Sequence, residues 1–353
     1  MGLRRPGRMQ PMSSGEATAQ NWMSRGSVTV VCPFRNAEES LARTLASIYS
    51  QDYPHELIYI VLVDGGSTDH SKRIASNFGE SFAGDFGGIT VLENPAQSVA
   101  AALNLALQDV STEYWLRIDA HSELSAGYIQ TCRRFLESNP DVAAIGGITR
   151  TVGRSRTGVA IAWAQSSPLG VGASNFRTAR RLSLVDTTPF ALTRMEAMRA
   201  AGEFDISLAR NQDDEHNARI RDWGTIYVTP ACELSYYCRN TYGALAAQYF
   251  GYGQYKPVVM FRPEYRFRLR HFVPPLLVVS NVGALLAAMR VKRALFLPLL
   301  YVGGVACVTP GQPNERSRRT LAMVLMHWAY GCGMWWGIGT SVRRRVRRRK
   351  DRR

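Results

Sequence analysis

Short apolar runs alternate with amphipathic stretches along the first third of the chain. Val28–Cys32, Leu57–Val63, Ile89–Leu92 and Tyr114–Ile118 are continuous apolar runs that predict buried parallel strands. Between them, Leu41, Leu45 and Ile48 fall on one helical face within Glu38–Ser50. His70–Phe78 reads as a polar helix, and Val99, Leu103, Ala106 and Leu107 mark an amphipathic one. Strands alternating with helices predict an α/β fold, a mostly parallel sheet with helices on both faces. Arg150 to Arg210 shows no sustained period and is rich in Gly, Ser, Thr and Arg, so short strands and a mobile loop over a site are expected there. Asp213–Arg221 then predicts a helix and Gly224–Val228 a strand.

Beyond Phe261 the pattern changes. Phe272–Met289 approaches one bilayer thickness of apolar residues, interrupted by Pro274, Pro275, Ser280 and Asn281. Ala294–Val308 is a second, shorter run, and Leu321–Thr340 a third, with Trp328, Trp335 and Trp336 suited to an interface. C-terminal membrane helices are therefore expected after the α/β unit. The connecting segments are basic, and three full spans would leave the basic tail on the wrong side, so at least one run is expected to be re-entrant or interfacial. The first two are the better candidates for that; Leu321–Thr340 reads as a span rather than a core helix. The divisions this gives are a disordered segment 1–27, an α/β domain 28–261, juxtamembrane and membrane-associated helices 262–340, and a polybasic tail 341–353.

Charge changes the picture in one respect. The formal net charge of +15 suggests nucleic acid at first sight, yet Val28–Phe261 holds 20 Lys/Arg against 24 Asp/Glu. The excess lies at the ends and between apolar runs, with nine basic residues in Arg343–Arg353. A mildly acidic body with basic flanks beside apolar segments predicts contact with anionic lipids at the cytoplasmic face of a plasma membrane, and no nucleic-acid partner. Met1–Ser27 has Arg4, Arg5 and Arg8 but no apolar stretch behind them, unlike a signal peptide. The six cysteines form no C-x-x-C pair, which argues for reduced thiols and against a zinc site.

Three acidic segments carry the candidate chemistry. Asp64 ends the second strand and runs into Gly65-Gly66, which let backbone approach a ligand closely. Pro33, Arg35 and Glu38 follow the first strand on the same sheet edge. Asp119 and His121 flank one small residue after the fourth strand, which places both side chains on one side of an extended backbone. Carboxylate plus imidazole suits Mn²⁺ as well as Mg²⁺. Asp213, Asp214 and Glu215 open a helix, where they complement its dipole or supply a general base; the sequence leaves both readings open. A nucleoside contact, a metal pair and a carboxylate base converging at strand ends would suit transfer of a sugar from a nucleotide.

These segments resemble family-2 glycosyltransferases of the GT-A fold, and within them the membrane-associated succinoglycan-type glucosyltransferases of exopolysaccharide synthesis. Cys32-Pro33-Phe34-Arg35-Asn36-Ala37-Glu38 resembles the opening P-x-x-N-E, Asp64–Asp69 the D-D-G-S-x-D, Asp119-Ala120-His121 the D-A-H form of D-x-D, and Gln212–Glu215 with Arg219 the E-D-x-E…R. The resemblance implies Asp64 and Glu38 at the nucleoside, Asp119 at ribose or metal, His121 at the metal and Asp213 as base. It implies an inverting, Mn²⁺- or Mg²⁺-dependent transfer of one sugar, glucose from a UDP donor, to a polyprenyl-linked saccharide. The alternatives are a polyprenyl-phosphate sugar synthase or an inactive membrane-anchored subunit. Gln212 departs from the family's Glu. Gln248-Tyr249-Phe250-Gly251-Tyr252 lacks the Arg-Trp of the processive synthases, which points to single-sugar transfer. Gln248, Tyr252, Arg262 and Arg266 are expected on the acceptor or lipid side.

Overall fold

The computed structural model describes residues 25–108, 110–171, 175–262, 265 and 269–350, with backbone alone for 175, 269, 270 and 342–350. Most of the expected N-terminal segment, Arg266 and the side chains of the basic tail lie outside the described residues.

Four strands, β1 (Val28–Phe34), β2 (Ile58–Asp64), β3 (Gly88–Glu93) and β4 (Tyr114–Arg117), pair in parallel in the order β3-β2-β1-β4. The sheet continues through β5 (Ser122–Leu124), β6 (Val142–Val152), β7 (Ser183–Leu184), β8 (Leu192–Arg194) and β9 (Thr225–Tyr237). Beyond β4 the order is β8-β6-β9-β5, with β7 beside β9. Only β6–β9 is parallel in that half; β4–β8, β6–β8, β5–β9 and β7–β9 are antiparallel. The sheet is thus mixed rather than mostly parallel. The strands that make it so are those whose sequence lacks a clean apolar run: β8 and β5 span three residues each and β7 two.

Helices cover both faces, as the alternation predicts. Val28, Val30 and Cys32 point to one face, where they pack with Leu41, Leu45 and Ile48 of α1 (Leu41–Tyr49), Ala75 of α2 (Ser71–Phe82) and Ile129 of the helix 128–138. Val31 and Val63 point to the other, against Ala100 and Leu103 of α3 (Val99–Leu107), with residues of the helices 195–201 and 212–223. The fourth helix, α4, is Tyr128–Ser138.

Arg150–Arg210 is more ordered than its composition suggests. It holds the end of β6, then α5 (Arg156–Ser166), whose Ser155 side chain caps the Gly158 N–H at 2.9 Å, and the short helices α6 (Pro168–Val171) and α7 (Asn175–Thr178). After β8 come α8 (Met195–Ala201), α9 (Gln212–Trp223) and α10 (Tyr242–Met260).

The C-terminal runs form α11 (Val273–Ala288), α12 (Phe296–Val308) and α13 (Pro313–Lys350). No helix among the described residues is long and apolar enough to cross a membrane. A span over Leu321–Thr340 is not confirmed, and the packing of the run bears on why. Ala322, Met323, Met326 and Met334 are buried, with α13 lying along α10 and against α5, so its apolar stripe covers protein. Gly253, Gly333 and Gly337 make that crossing close: a Cβ at any of them would collide with backbone of the opposite helix. The outer faces of α11 and α12 differ. Val273, Leu276, Leu286, Phe296 and Leu299 are each more than 60 % exposed.

Candidate active site

In the order β3-β2-β1-β4, the chain steps outward from β1 to β3 and returns to the opposite side of β1. That makes the gap between the carboxyl ends of β1 and β4 a topological switch point, where an open α/β sheet binds ligands. Register brings Phe34, Asp64 and Glu93 level. A cavity of about 1080 Å³ opens there, bordered by Pro33, Arg35, Glu38, Asp119, His121, Asp213, Gln248 and Tyr252. Eight of the expected site residues are therefore brought together.

Asp64 sits just behind this wall, 4 % exposed, and its Oδ1 accepts the Ser67 N–H at 3.0 Å and hydroxyl at 2.6 Å. The turn so fixed is tied to the loop after β1. Asn36 donates its N–H to Ser67 Oγ and accepts from Thr68 N–H, while Glu38 Oε2 accepts from His70 N–H and the Glu38 N–H reaches Asp69 Oδ2. Asn36 stands at φ 48°, left-handed backbone that Asn tolerates better than most residues. The two loops expected at the nucleoside thus form one hydrogen-bonded rim.

After β4, Arg117 grips Asp119 through Nε at 3.0 Å and Nη2 at 2.7 Å, both to Oδ1. Burial would push the Asp119 carboxyl up, but Arg117 and His121 outweigh it and hold it below the ordinary carboxylate range. Burial pushes His121 down, and Arg239, Arg117 and Arg210 add to this against the opposing Asp119. The imidazole is therefore neutral at pH 7 and packs edge-on against Tyr236 at 4.9 Å. Asp119 and His121, both bordering the cavity, offer a carboxylate and a neutral imidazole nitrogen, a donor set that suits Mn²⁺ or Mg²⁺. No cluster of three or more potential metal-ligating residues occurs among the described residues. The pair fits a cation completed by ligand oxygens rather than a self-contained metal cage.

The helix opened by three acids resolves into three different environments. Glu215 is buried and bound bidentately by Arg219, Nε–Oε1 3.0 Å and Nη2–Oε2 2.9 Å. Asp214 is paired with Lys256 and accepts the Tyr265 hydroxyl at 3.0 Å; burial opposes its ionisation, but these partners hold it low. Asp213 has no ion pair among the described residues. Burial raises its pKa, Arg117 opposes, and Asp214 and Asp119 add to the rise. Of the three, Asp213 alone combines a raised pKa with no cation partner among the described residues. Asn211, at φ 61° just before the helix, donates to the Tyr252 carbonyl at 2.9 Å and so fixes α9 against α10. Gln212 is buried at the helix start and borders the cavity.

Gln248 is a hub rather than a lone surface group. Its Nε2 donates to the hydroxyls of Tyr236 at 3.1 Å and Tyr252 at 3.2 Å, and its Oε1 accepts from Gln165 at 3.3 Å. Arg262 does not border the cavity; it pairs with Asp205 and lies 3.9 Å from Glu215. The structure thus engages Arg262, expected on the acceptor or lipid side, in ion pairing with half-buried Asp205 and buried Glu215. The sequence reading missed Arg117, Arg154, Arg177, Arg210 and Arg239, which line the cavity from five different segments. Arg117 and Arg239 sit within two residues of strand ends, a signal that was legible; the others depend on tertiary placement.

A mixed sheet of this strand order, with a carboxylate-and-arginine cleft at its switch point, defines a GT-A-like α/β fold. A mannosyltransferase from Pyrobaculum calidifontis superimposes with a TM-score of 0.59 at 20 % identity, over 89 % of this chain and 88 % of that one. TarS of S. aureus does so with a TM-score of 0.50 at 15 % identity, over 87 % and 90 %. The chain belongs to glycosyltransferase family 2: the family model described as "Glycosyl transferase family 2" matches residues 29–201. The succinoglycan biosynthesis protein ExoA of Rhizobium meliloti is 31 % identical over 304 residues, 81 % of this chain and 87 % of that protein. A Methanococcus voltae dolichyl N-acetylglucosaminyl-phosphate glucuronosyltransferase is 23 % identical over 239 residues, 66 % of this chain and 74 % of that one.

Proposed function

We propose that the protein is an inverting glycosyltransferase that moves one sugar, glucose from a UDP donor, to a lipid-linked saccharide at the cytoplasmic face of the plasma membrane. The observation that carries this reading is the isolation of Asp213. Of three consecutive acids at the start of α9, two are neutralised by partners and one is left half-buried, with a raised pKa, at the border of the cavity. That is the state a general base needs.

In this reading Asp213 accepts the proton of an acceptor hydroxyl as that oxygen attacks the anomeric carbon from the face opposite the nucleotide. The bond to the diphosphate breaks, its electron pair leaves with the diphosphate oxygen, and the configuration inverts. The nucleoside lies along the rim of Pro33, Arg35 and Glu38, behind which Asp64 holds the turn. Asp119 and His121 would hold Mn²⁺ or Mg²⁺, which supplies Lewis-acid stabilisation of the departing diphosphate. Arg210 and Arg239, beside the same pair, add fixed positive charge toward the developing anion. Gln248 orients the Tyr236 and Tyr252 hydroxyls that form the wall beside Asp213. The choice of a lipid-linked saccharide draws on the names of the ExoA and M. voltae relatives. The membrane location draws on the apolar outer faces of α11 and α12.

The test is nucleoside diphosphate release by membranes carrying the protein, given UDP-, GDP- and dTDP-sugars, Mn²⁺ and extracted lipid-linked saccharides. Release from one donor, dependent on metal and on the extract, is expected. Release that survives Asp213→Asn would instead favour a polyprenyl-phosphate sugar synthase, whose acceptor phosphate needs no strong base. Background release from every donor would overturn the reading.

A further inference from the structure

The cavity extends well past the residues that the transfer chemistry uses. Away from the nucleoside rim its wall is formed by Leu169 and Val171 of α6, Val273 and Leu277 of α11, and Met326 and Tyr330 of α13. Three helices distant in sequence contribute there, and their lining side chains are apolar apart from the His327 and Tyr330 rings, with His271 and Tyr265 before α11 also on the cavity. Gln248, Tyr249 and Tyr252 of α10 line the same cavity, and Tyr252 is near enough to Asp213 to feel its charge. The arm is continuous with an apolar exterior. Val273 borders the cavity and is also 61 % exposed, and Leu276 beside it is 62 % exposed. On α12, Phe296 and Leu299 extend the same character, and the turn between α11 and α12 carries exposed Arg290, Lys292 and Arg293.

We infer that this apolar arm binds the isoprenoid chain of a prenyl-phosphate-linked acceptor, which enters from the bilayer between α6, α11 and α13. The inference deepens the proposed function and rests on it for the identity of the acceptor. The argument is one of continuity. A chain leaving a leaflet at the outer face of α11 reaches the arm along apolar side chains without crossing water. Its head then arrives beside Tyr252 and Asp213, where the reacting hydroxyl is required. A bulk phospholipid has no reacting group to place there. The basic turn between α11 and α12 complements anionic headgroups and sets the depth at which the arm meets the leaflet. The arrangement also makes acceptor selection a property of the chain, since α6 and α13 contribute nothing polar to the arm apart from the Tyr330 and His327 rings, and His327 is already bonded to Leu169 O at 2.8 Å and Tyr301 Oη at 2.9 Å.

The test is photo-crosslinking of the full chain in detergent micelles with a farnesyl phosphate that carries a diazirine on its prenyl chain. Crosslinks are expected within Leu169–Val171, at Leu277 or at Met326. Excess unlabelled farnesyl phosphate should suppress them, and excess phosphatidylglycerol should not. Leu277→Trp, which fills the arm, should lower crosslinking several-fold while nucleotide binding, read separately, stays unchanged. If that variant does not fold, the wild-type crosslink map and its competition decide alone. Crosslinks confined to the outer faces of α11 and α12, or equal competition by phosphatidylglycerol, would overturn the inference. Asp213→Asn is expected to crosslink as the wild type does, so the two readings fail separately. Crosslinks in the arm with no transfer from any nucleotide sugar would overturn the catalytic reading alone. Transfer with no crosslink in the arm would overturn this one alone.

Discussion

Asp213, Asp119 and Arg117 form one electrostatic unit. Arg117 is held between the two carboxylates, bonded to Asp119 and lowering Asp213 from a distance. Asp213→Asn removes the base while keeping its shape, and kcat is expected to fall about 10²–10⁴-fold with little change in donor KM. The same substitution should raise the melting temperature near neutral pH. Burial raises the Asp213 pKa in the folded protein, so the folded chain holds that proton more tightly than the unfolded one. Stability from this group is then lost as pH rises from the unfolded value through the folded one, and the amide never incurs that loss. A thermal-shift series across pH, wild type against variant, reads it directly; equal curves would show that the Asp213 pKa is not raised in the folded protein. For the wild type, the acid limb of kcat against pH should lie above the ordinary carboxylate range. Arg117→Met takes away the opposing charge and should move that limb further up. It also leaves Asp119 without its partner, at a cost below the roughly 3–5 kcal/mol of a fully buried pair because both side chains keep some contact with water. How much of this was legible follows from residue type. Asp64, Asp119, His121 and Asp213 could be picked out because acids after apolar runs are unusual and their spacing is short. The sorting of Asp213 from Asp214 was not legible, because Lys256 and Tyr265 decide it from α10 and the segment before α11, whereas the Glu215–Arg219 pair lies four residues apart within α9.

The strands β1 to β4 and helices α1 to α3 were readable because each satisfies one clear period. β5, β7 and β8 were not, since strands of two or three residues leave no pattern. The long strand β6 was missed because Ala143, Ala144, Gly146 and Gly147 give it little apolar weight, although four of its first five residues pack as core. Glycine has a specific reason at one of these positions. A Cβ at Gly147 would meet the Cys232 backbone and the Tyr128 ring, so β6 lies close to both. What the apolar run in α13 covers was not legible for a similar reason: composition shows that a helix is apolar, and only its neighbours show what it covers. The glycine seam between α10 and α13 gives the check. Gly253→Val or Gly333→Val forces a side chain into the backbone of the facing helix and is expected to cost at least about 1–3 kcal/mol. Gly243, with open space around its Cβ position, is the control. Urea unfolding monitored by circular dichroism should separate them; a Gly333→Val protein as stable as Gly243→Ala would show that α10 and α13 do not pack as described.

Taken together, the body of the chain is acidic, its apolar hairpin α11–α12 is exposed, and the basic residues cluster beside that hairpin. This distribution predicts attachment to an anionic bilayer surface by the hairpin. Replacing Leu286 and Leu299, on its exposed face, by Glu should release the protein from phosphatidylglycerol vesicles in a flotation assay while thermal stability holds. Retention on neutral and anionic vesicles alike would contradict it. The overall division into an α/β unit with a site at its strand ends and a C-terminal apolar region could be read from the pattern. The way α13 turns back to complete the wall of the cavity could not, because that contact joins Met326 and Tyr330 to residues in α6 and α11.

The account stands on transfer of sugar through Asp213, and radiolabel measures it most directly. Membranes carrying wild-type protein, supplied with labelled UDP-glucose, Mn²⁺ and extracted lipid-linked saccharides, should move label into the organic-extractable lipid fraction. Membranes carrying Asp213→Asn, with equal protein content, should move about 10²-fold less or lower still. Equal transfer by the two proteins would show that Asp213 is not the base and would contradict the account.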